Sequence, residues 1–427
     1  MWQGQFWLAM RRVMAVILTI IILPAALVAA SSSEPLYEFK GGNNAGRPFD
    51  TLIFDQVGNL YGTTLAGGGK ICGGDDSPCG TVFKLTHQSN GSWTESVLHR
   101  FGGSGDGWAP SAGLIFDSAG NLYGTTTMGG ASGRGGTVFM LTPEQNGSWT
   151  ETVLYSFCQL TNCADGAGPY AALTLDGAGI LYGTTVVGGA YDGGTVFKLA
   201  PSSGGGRAET VLYSFGGPDG GGFPEAALIL DASGNLYGTT SVGGQTCGNN
   251  YSCGIVFELT PKANGSWKEH VLYEFSGGED GGVPYAGLTF DTAGNLYGTT
   301  SGINGAGRST VFELVPKPHG GWKESVLHRF VKDTGITPYS GLTLDTVGSL
   351  YGTTFDGDTF NDGVIFQLTR EDSGSWAYSV LYSFGDGGLG EHPYGGLVLD
   401  QTGNLYGTTS DCAVGDHCVG VVFELTP

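Results

Sequence analysis

Helical periodicity is missing from this sequence. Beyond residue 30 no stretch keeps apolar residues at helical spacing, and no apolar run approaches the length that crosses a bilayer. Charge is scarce as well: only 13% of residues are charged, with 18 basic against 39 acidic side chains. A net charge of −21 without any basic cluster repels phosphate backbones and excludes nucleic acid as a partner. No nucleophile elbow, phosphate loop, dinucleotide fingerprint or HExxH is present, so no common catalytic motif assigns a reaction. What is plentiful is Gly, at 79 residues, beside 40% hydrophobic residues that fall in short regular blocks. Gly is a poor helix residue, and this much apolar material builds a packed core, so the expectation is an all-β protein.

Residues 1–30 read as an export signal. Arg11 and Arg12 precede an apolar run from Val13 to Ala30, and small residues end it before Ser31-Ser32-Ser33. An uncleaved anchor is the rival reading, because the run is long for a signal. Cleavage after Ala30 would leave 16 basic against 39 acidic residues in one domain, 31–427. The eight Cys form four close pairs, Cys72/Cys79, Cys158/Cys163, Cys247/Cys253 and Cys412/Cys418. Such local pairs in an exported chain read as disulfides, each pinning a short loop.

Internal repetition decides the architecture. Tyr-Gly-Thr-Thr begins at Tyr61, Tyr123, Tyr182, Tyr237, Tyr297, Tyr351 and Tyr406. Around each copy lie four short runs rich in β-branched and aromatic residues, as in Gly113–Asp117, Asn121–Thr126, Thr137–Thr142 and Trp149–Phe157. Asp117-Ser118-Ala119-Gly120-Asn121 suits a tight hairpin, with Gly at the left-handed position. Four antiparallel strands per unit, seven times over, predict a seven-bladed β-propeller. The ends are offset in a complementary way. Leu36-Tyr37-Glu38-Phe39 matches a fourth strand, while Val422-Phe423-Glu424-Leu425 matches a third. Pairing them closes the ring and removes an open edge.

With Gly113–Asp117 as the innermost strand, all four Cys pairs and the longer loops fall on one face, here called upper, where function is expected to sit. Five upper-face aromatics are candidate ligand contacts: Trp108, Tyr170, Tyr285, Tyr339 and Tyr394. Asp106, Asp165, Asp219, Asp280 and Asp386 recur there in Asp-Gly turns. No cofactor is expected, and Ca²⁺ near the axis is the one ion those acids would suit, although Asp-Gly is also ordinary turn chemistry. The last repeat gathers Glu391, His392, Asp411, Asp416 and His417, a candidate metal or acid–base set that is equally readable as a solvated rim. Glu225 stands where other repeats have an aromatic, as in Pro284-Tyr285-Ala286-Gly287-Leu288, but one Glu without a second placed carboxyl is not a glycosidase. His99 and His328 replace the Tyr of Leu-Tyr-Ser-Phe and belong on outer strands.

Gly-Asn-Leu-Tyr-Gly-Thr-Thr, the Gly-Gly that follows, and the Gly-Thr-Val-Phe-x-Leu-Thr runs at 80–86 and 136–142 resemble the GloVer tandem repeat of exported, choice-of-anchor bacterial proteins. The resemblance spans the chain beyond residue 30. It implies an extracellular or surface-attached bacterial protein and supplies no catalytic residue to carry over. Ending at Pro427 directly after a strand, the chain is expected to be freely secreted or periplasmic. The resulting expectation is a monomeric, non-catalytic binding module for a polysaccharide or another extracellular protein. The alternative is a hydrolase or lyase acting on polysaccharide or lactone.

Overall fold

Short strands and tight turns follow directly from the repeat. The computed structural model describes residues 33–72, 78–203, 206–217, 220–247, 251–302, 308–385, 388–411 and 419–427. The expected export signal, residues 1–30, lies outside them. Seven four-stranded antiparallel blades form the β-propeller, and no α-helix occurs among the described residues. In blade 2 the strands are Ile115–Phe116, Leu122–Thr126, Thr137–Pro143 and Trp149–Ser156, numbered here from the axis outward. Ser33–Glu38 is the outer strand of blade 7, paired antiparallel with Val421–Leu425 from Ser33↔Leu425 to Glu38↔Val421. The offset of the two ends is therefore used as the repeat predicts.

Each residue of Tyr-Gly-Thr-Thr has a separate structural duty. The Tyr hydroxyl donates to the Asp that opens the preceding hairpin, at 3.0–3.3 Å in all seven blades. That Asp also accepts turn N–H groups, and the Gly closing the turn has φ between 79° and 93°. The Gly of the motif lies under a Phe ring: a Cβ on Gly62 would come within 2.8 Å of Phe83 Cζ. The first Thr reaches across to the next blade. Thr63, Thr125, Thr184, Thr239, Thr299, Thr353 and Thr408 donate to the carbonyls of Ala112, Ala171, Ala226, Ala286, Ser340, Gly395 and Asp50, at 2.8–3.4 Å. The second Thr stays within its blade, as in Thr126 Oγ1 to Thr137 Oγ1 at 2.8 Å.

Apolar contact between blades has its own sevenfold motif. The Phe after each outer strand meets the Phe of the next blade's third strand, as Phe101 meets Phe139 and Phe157 meets Phe197. Centroid separations run from 4.9 to 5.6 Å with tilted or edge-on geometry. Such pairs contribute roughly 0.5–1.5 kcal/mol beyond burial. Phe39 with Phe83 completes the circle at the closing blade. Disulfides Cys72–Cys79, Cys158–Cys163 and Cys247–Cys253 are formed. Cys412 and Cys418 lie outside the described residues.

Candidate functional site

The seven inter-blade loops converge on the axis through one repeated elbow. In every blade a Pro precedes the innermost strand, and the residue before it has a left-handed backbone: Arg47, Ala109, Gly168, Phe223, Val283, Thr337 and His392, with φ from 56° to 66°. A residue preceding Pro prefers extended backbone, and β-branched Val283 and Thr337 are particularly ill suited to positive φ. The neighbouring blades hold the elbow in place. Val283 N–H donates to the Cys253 carbonyl at 2.7 Å, and the Val283 carbonyl accepts from Ser301 N–H at 3.1 Å. Strain of this kind persists only where the surrounding structure over-determines it.

The elbow aims the residue after each Pro at the axis. Those residues, in blade order, are Phe49, Ser111, Tyr170, Glu225, Tyr285, Tyr339 and Tyr394, and all seven line a cavity of about 500 Å³. Four of them form a continuous arc. Phe49 stacks on Tyr394 at 4.3 Å, Tyr394 on Tyr339 at 5.4 Å, and Tyr339 meets Tyr285 edge-on at 5.8 Å. Tyr170 stands apart and is 47% exposed. The wall is thus aromatic on one side and carries Glu225 and Ser111 on the other.

Two carboxyls enter this cavity. Burial is the main influence on Glu225 and pushes it up to about 7, opposed by a hydrogen bond from Ser241 Oγ at 3.2 Å. Asp50, in a position held by Ala, Ser or Gly in the other blades, is also raised by burial. It accepts the N–H groups of Thr51 and Gly113, each at 2.6 Å.

The expected residues distribute unevenly. Tyr170, Tyr285, Tyr339 and Tyr394 come together in the cavity. Trp108 does not join them: two residues before its Pro, it pairs with Met128 in a small two-stranded sheet and packs half-buried against the Cys79 and Phe101 cluster. Its reading as an exposed loop aromatic is corrected accordingly. The recurrent acids do not face the axis either. Asp165 accepts from Tyr155 hydroxyl, Gln159 N–H and Leu160 N–H, while Asp280 accepts from Tyr273 hydroxyl and Ser276 N–H. These aspartates cap their own loops, and Asp106 likewise accepts Gly103 and Gly107 N–H. Asp219 and Asp386 lie outside the described residues. Phe49 and Asp50 were missed by sequence reasoning, although alignment on the Pro of each repeat exposes both.

In the last blade, Glu391 and His392 are joined by Asp362 from the blade before, with potential ligand atoms within 4.8 Å of one another. His392 Nδ1 lies 3.1 Å from the Phe355 carbonyl, and Nε2 lies 3.8 Å from Asp362. A ring held at Nδ1 by a carbonyl leaves Nε2 suited to a metal or a proton. Asp411 meets this group through its backbone, its carbonyl accepting Glu391 N–H at 3.0 Å. Asp416 and His417 lie outside the described residues. A second such set, His99, Asp106 and Glu151, sits between outer strands. There His99 occupies the place of Tyr155 and Tyr273, which donate to the matching Asp in other blades, so the set is a variant of an inter-blade clasp.

The Gloeobacter/Verrucomicrobia repeat matches residues 26–251 and 245–427. The chain belongs to this repeat family. Among solved structures, the repeat chain is similar to PorZ, a bacterial surface component of the type-IX secretion system of Porphyromonas gingivalis. The TM-score is 0.52 at 15% identity, over 88% of this chain and 46% of that one. It is also similar to an ancestral GH74 enzyme, with a TM-score of 0.55 at 12% identity, over 90% of this chain and 48% of that one. The chain therefore spans just under half the length of either, and at such identity the likeness shows the propeller fold alone. No curated protein matches the chain.

Proposed function

We propose that this repeat protein is an exported binding module that takes a saccharide chain end into its axial cavity. The stacked arc Phe49–Tyr394–Tyr339–Tyr285 carries the reading. Sugar rings present flat C–H faces that lie against aromatic faces, and an open cavity of about 500 Å³ is of ligand size. Export is supported by three disulfides, which persist only in oxidising compartments.

Affinity electrophoresis against a panel of soluble polysaccharides, with parallel assay for new chain ends, tests the reading. Retention without new ends is expected. Tyr285→Ala with Tyr339→Ala should weaken it roughly ten- to a hundredfold, since each aromatic contact contributes about 0.5–1.5 kcal/mol. The fold should persist, because both rings are half-buried on the cavity wall. A folded wild-type protein retained by no polysaccharide ends the saccharide reading and favours a protein partner. New chain ends would turn the module into a hydrolase or lyase, with Glu225 and Asp50 as the carboxyls to replace first.

A further inference from the structure

We propose that the cavity selects an amino sugar, holding its ammonium group on the Glu225 carboxylate between the rings of Tyr170 and Tyr285. The inference rests on the saccharide reading above and names the substituent that chooses among sugars.

Charge balance inside the cavity is the first observation. Two carboxyls line it, and no Lys, Arg or His does so among the described residues. Asp50 is satisfied by two short backbone N–H contacts. Among the described residues Glu225 receives only Ser241 Oγ, at 3.2 Å, and it is half-buried on the cavity wall. Arg47, exposed on an elbow beside Tyr394, does not line the cavity. A buried carboxyl without a cation is unfavourable in its charged form, and a ligand that brings the cation restores the balance.

The flanking rings supply the second. Tyr170 and Tyr285 belong to the blades on either side of Glu225, and after burial itself the Glu225 charge is what raises both phenols. A cation on this carboxylate sits in a cavity that both rings also line, and aromatic rings attract cations through their quadrupoles. The third observation is Ser111. Its side chain is 5% exposed, its Oγ has no hydrogen-bond partner among the described residues, and it lines the same cavity. A buried hydroxyl left without a partner is rare and costly. A sugar hydroxyl satisfies it, which a bare alkylammonium cannot. The aromatic arc then takes the ring face, Glu225 the ammonium and Ser111 a hydroxyl.

Titration calorimetry in physiological salt, with hexamers of glucosamine, N-acetylglucosamine and glucose and with ethylammonium, tests this directly. The glucosamine hexamer should bind at least tenfold tighter than the other two sugars. Glu225→Gln should remove that preference, Glu225→Asp should keep part of it, and Ser111→Ala should weaken binding several-fold. Thermal melting checks that each variant is folded. Non-specific attraction of a polycation to a chain of net charge −21 would survive Glu225→Gln, and that result overturns the inference. Equal binding of all three sugars also overturns it and leaves the saccharide reading standing. Preference for the N-acetyl form, retained in Glu225→Gln, would make Glu225 a neutral donor and equally overturn it. Ethylammonium binding as tightly as the glucosamine hexamer would show that ammonium alone is read, ending the sugar half of the inference. Absence of any sugar binding removes the saccharide reading itself.

Discussion

Phe39→Ala should lower stability by about 3–5 kcal/mol, the usual cost of removing a buried aromatic ring. Phe39 is fully buried and packs on Phe83 at 4.9 Å, the ring contact that joins blade 7 to blade 1. Its N–H donates to the Gly420 carbonyl, and its carbonyl accepts Val419 N–H, so it also fastens the closing strand. In the other six blades the equivalent Phe follows an outer strand that is joined to the third strand of its blade by a hairpin, whereas Phe39 follows a strand whose partner, Val421–Leu425, comes from the far end of the repeats. Loss should therefore show first as faster amide exchange in Ser33–Glu38 and Val421–Leu425, with a fall of the melting temperature by roughly 4–6 °C. Val57→Ala, at a site 83% exposed, is the control and should leave both unchanged. A Phe39→Ala protein that melts like the parent would mean that the ring closes without this contact.

Melting should also be higher at pH 5 than at pH 8, by roughly 3–8 °C. Glu151, Glu209, Glu324 and Glu225 are each pushed up to about 7, in every case chiefly by burial. Asp106, Asp165 and Asp280 add like-charge repulsion to the first three, in that order. A carboxyl raised in the folded state binds more protons there than when unfolded. Its stabilising contribution is thus complete below the ordinary Glu range and is lost as pH rises through about 7. Partial exposure of these groups keeps the effect to a few degrees. The acid limb runs the other way. Burial raises Asp55, Asp117, Asp291 and Asp400, but their Asn, Thr, Tyr and backbone hydrogen bonds outweigh it and hold them low. Their contribution disappears as pH falls below the ordinary Asp range. Differential scanning calorimetry across pH 3–9 reads both limbs. Glu151→Gln with Glu209→Gln and Glu324→Gln should flatten the upper one, and a melting temperature that rises from pH 5 to 8 would contradict the burial argument.

The fold was legible because its information is periodic. Tyr-Gly-Thr-Thr recurs at near-constant spacing, and Leu36–Phe39 against Val422–Leu425 announces the ring closure without any tertiary knowledge. The site was legible only in part. Tyr170, Tyr285, Tyr339 and Tyr394 were found as loop aromatics, but Trp108 shares their chemistry and differs only in standing before its Pro. Which side of that Pro faces the axis depends on the positive φ at the elbow, a conformation that local preference disfavours for Val283 and Thr337. Glu225 stands out in the sequence as a break in the repeat, but no second carboxyl stands beside it there. Its setting becomes visible only when the seven post-proline positions are brought into one circle with Asp50 and Ser111. Recurrence of the Asp-Gly turns suggests a shared ion, whereas the described aspartates Asp106, Asp165 and Asp280 each accept N–H groups of their own loop, which spacing alone does not reveal.

The closing strand has a consequence for the order in which the chain can mature. Ser33–Glu38 leaves the ribosome, or any translocation channel, before a single blade is complete, yet its partner Val421–Leu425 emerges after six others. Until then blade 7 does not exist, Phe83 of blade 1 lacks its cover, and both free edges can pair with another copy. The nascent molecule is thus an open crescent that only its final segment can lock, and a truncation within the last repeat should be rejected by quality control as surely as one in the middle.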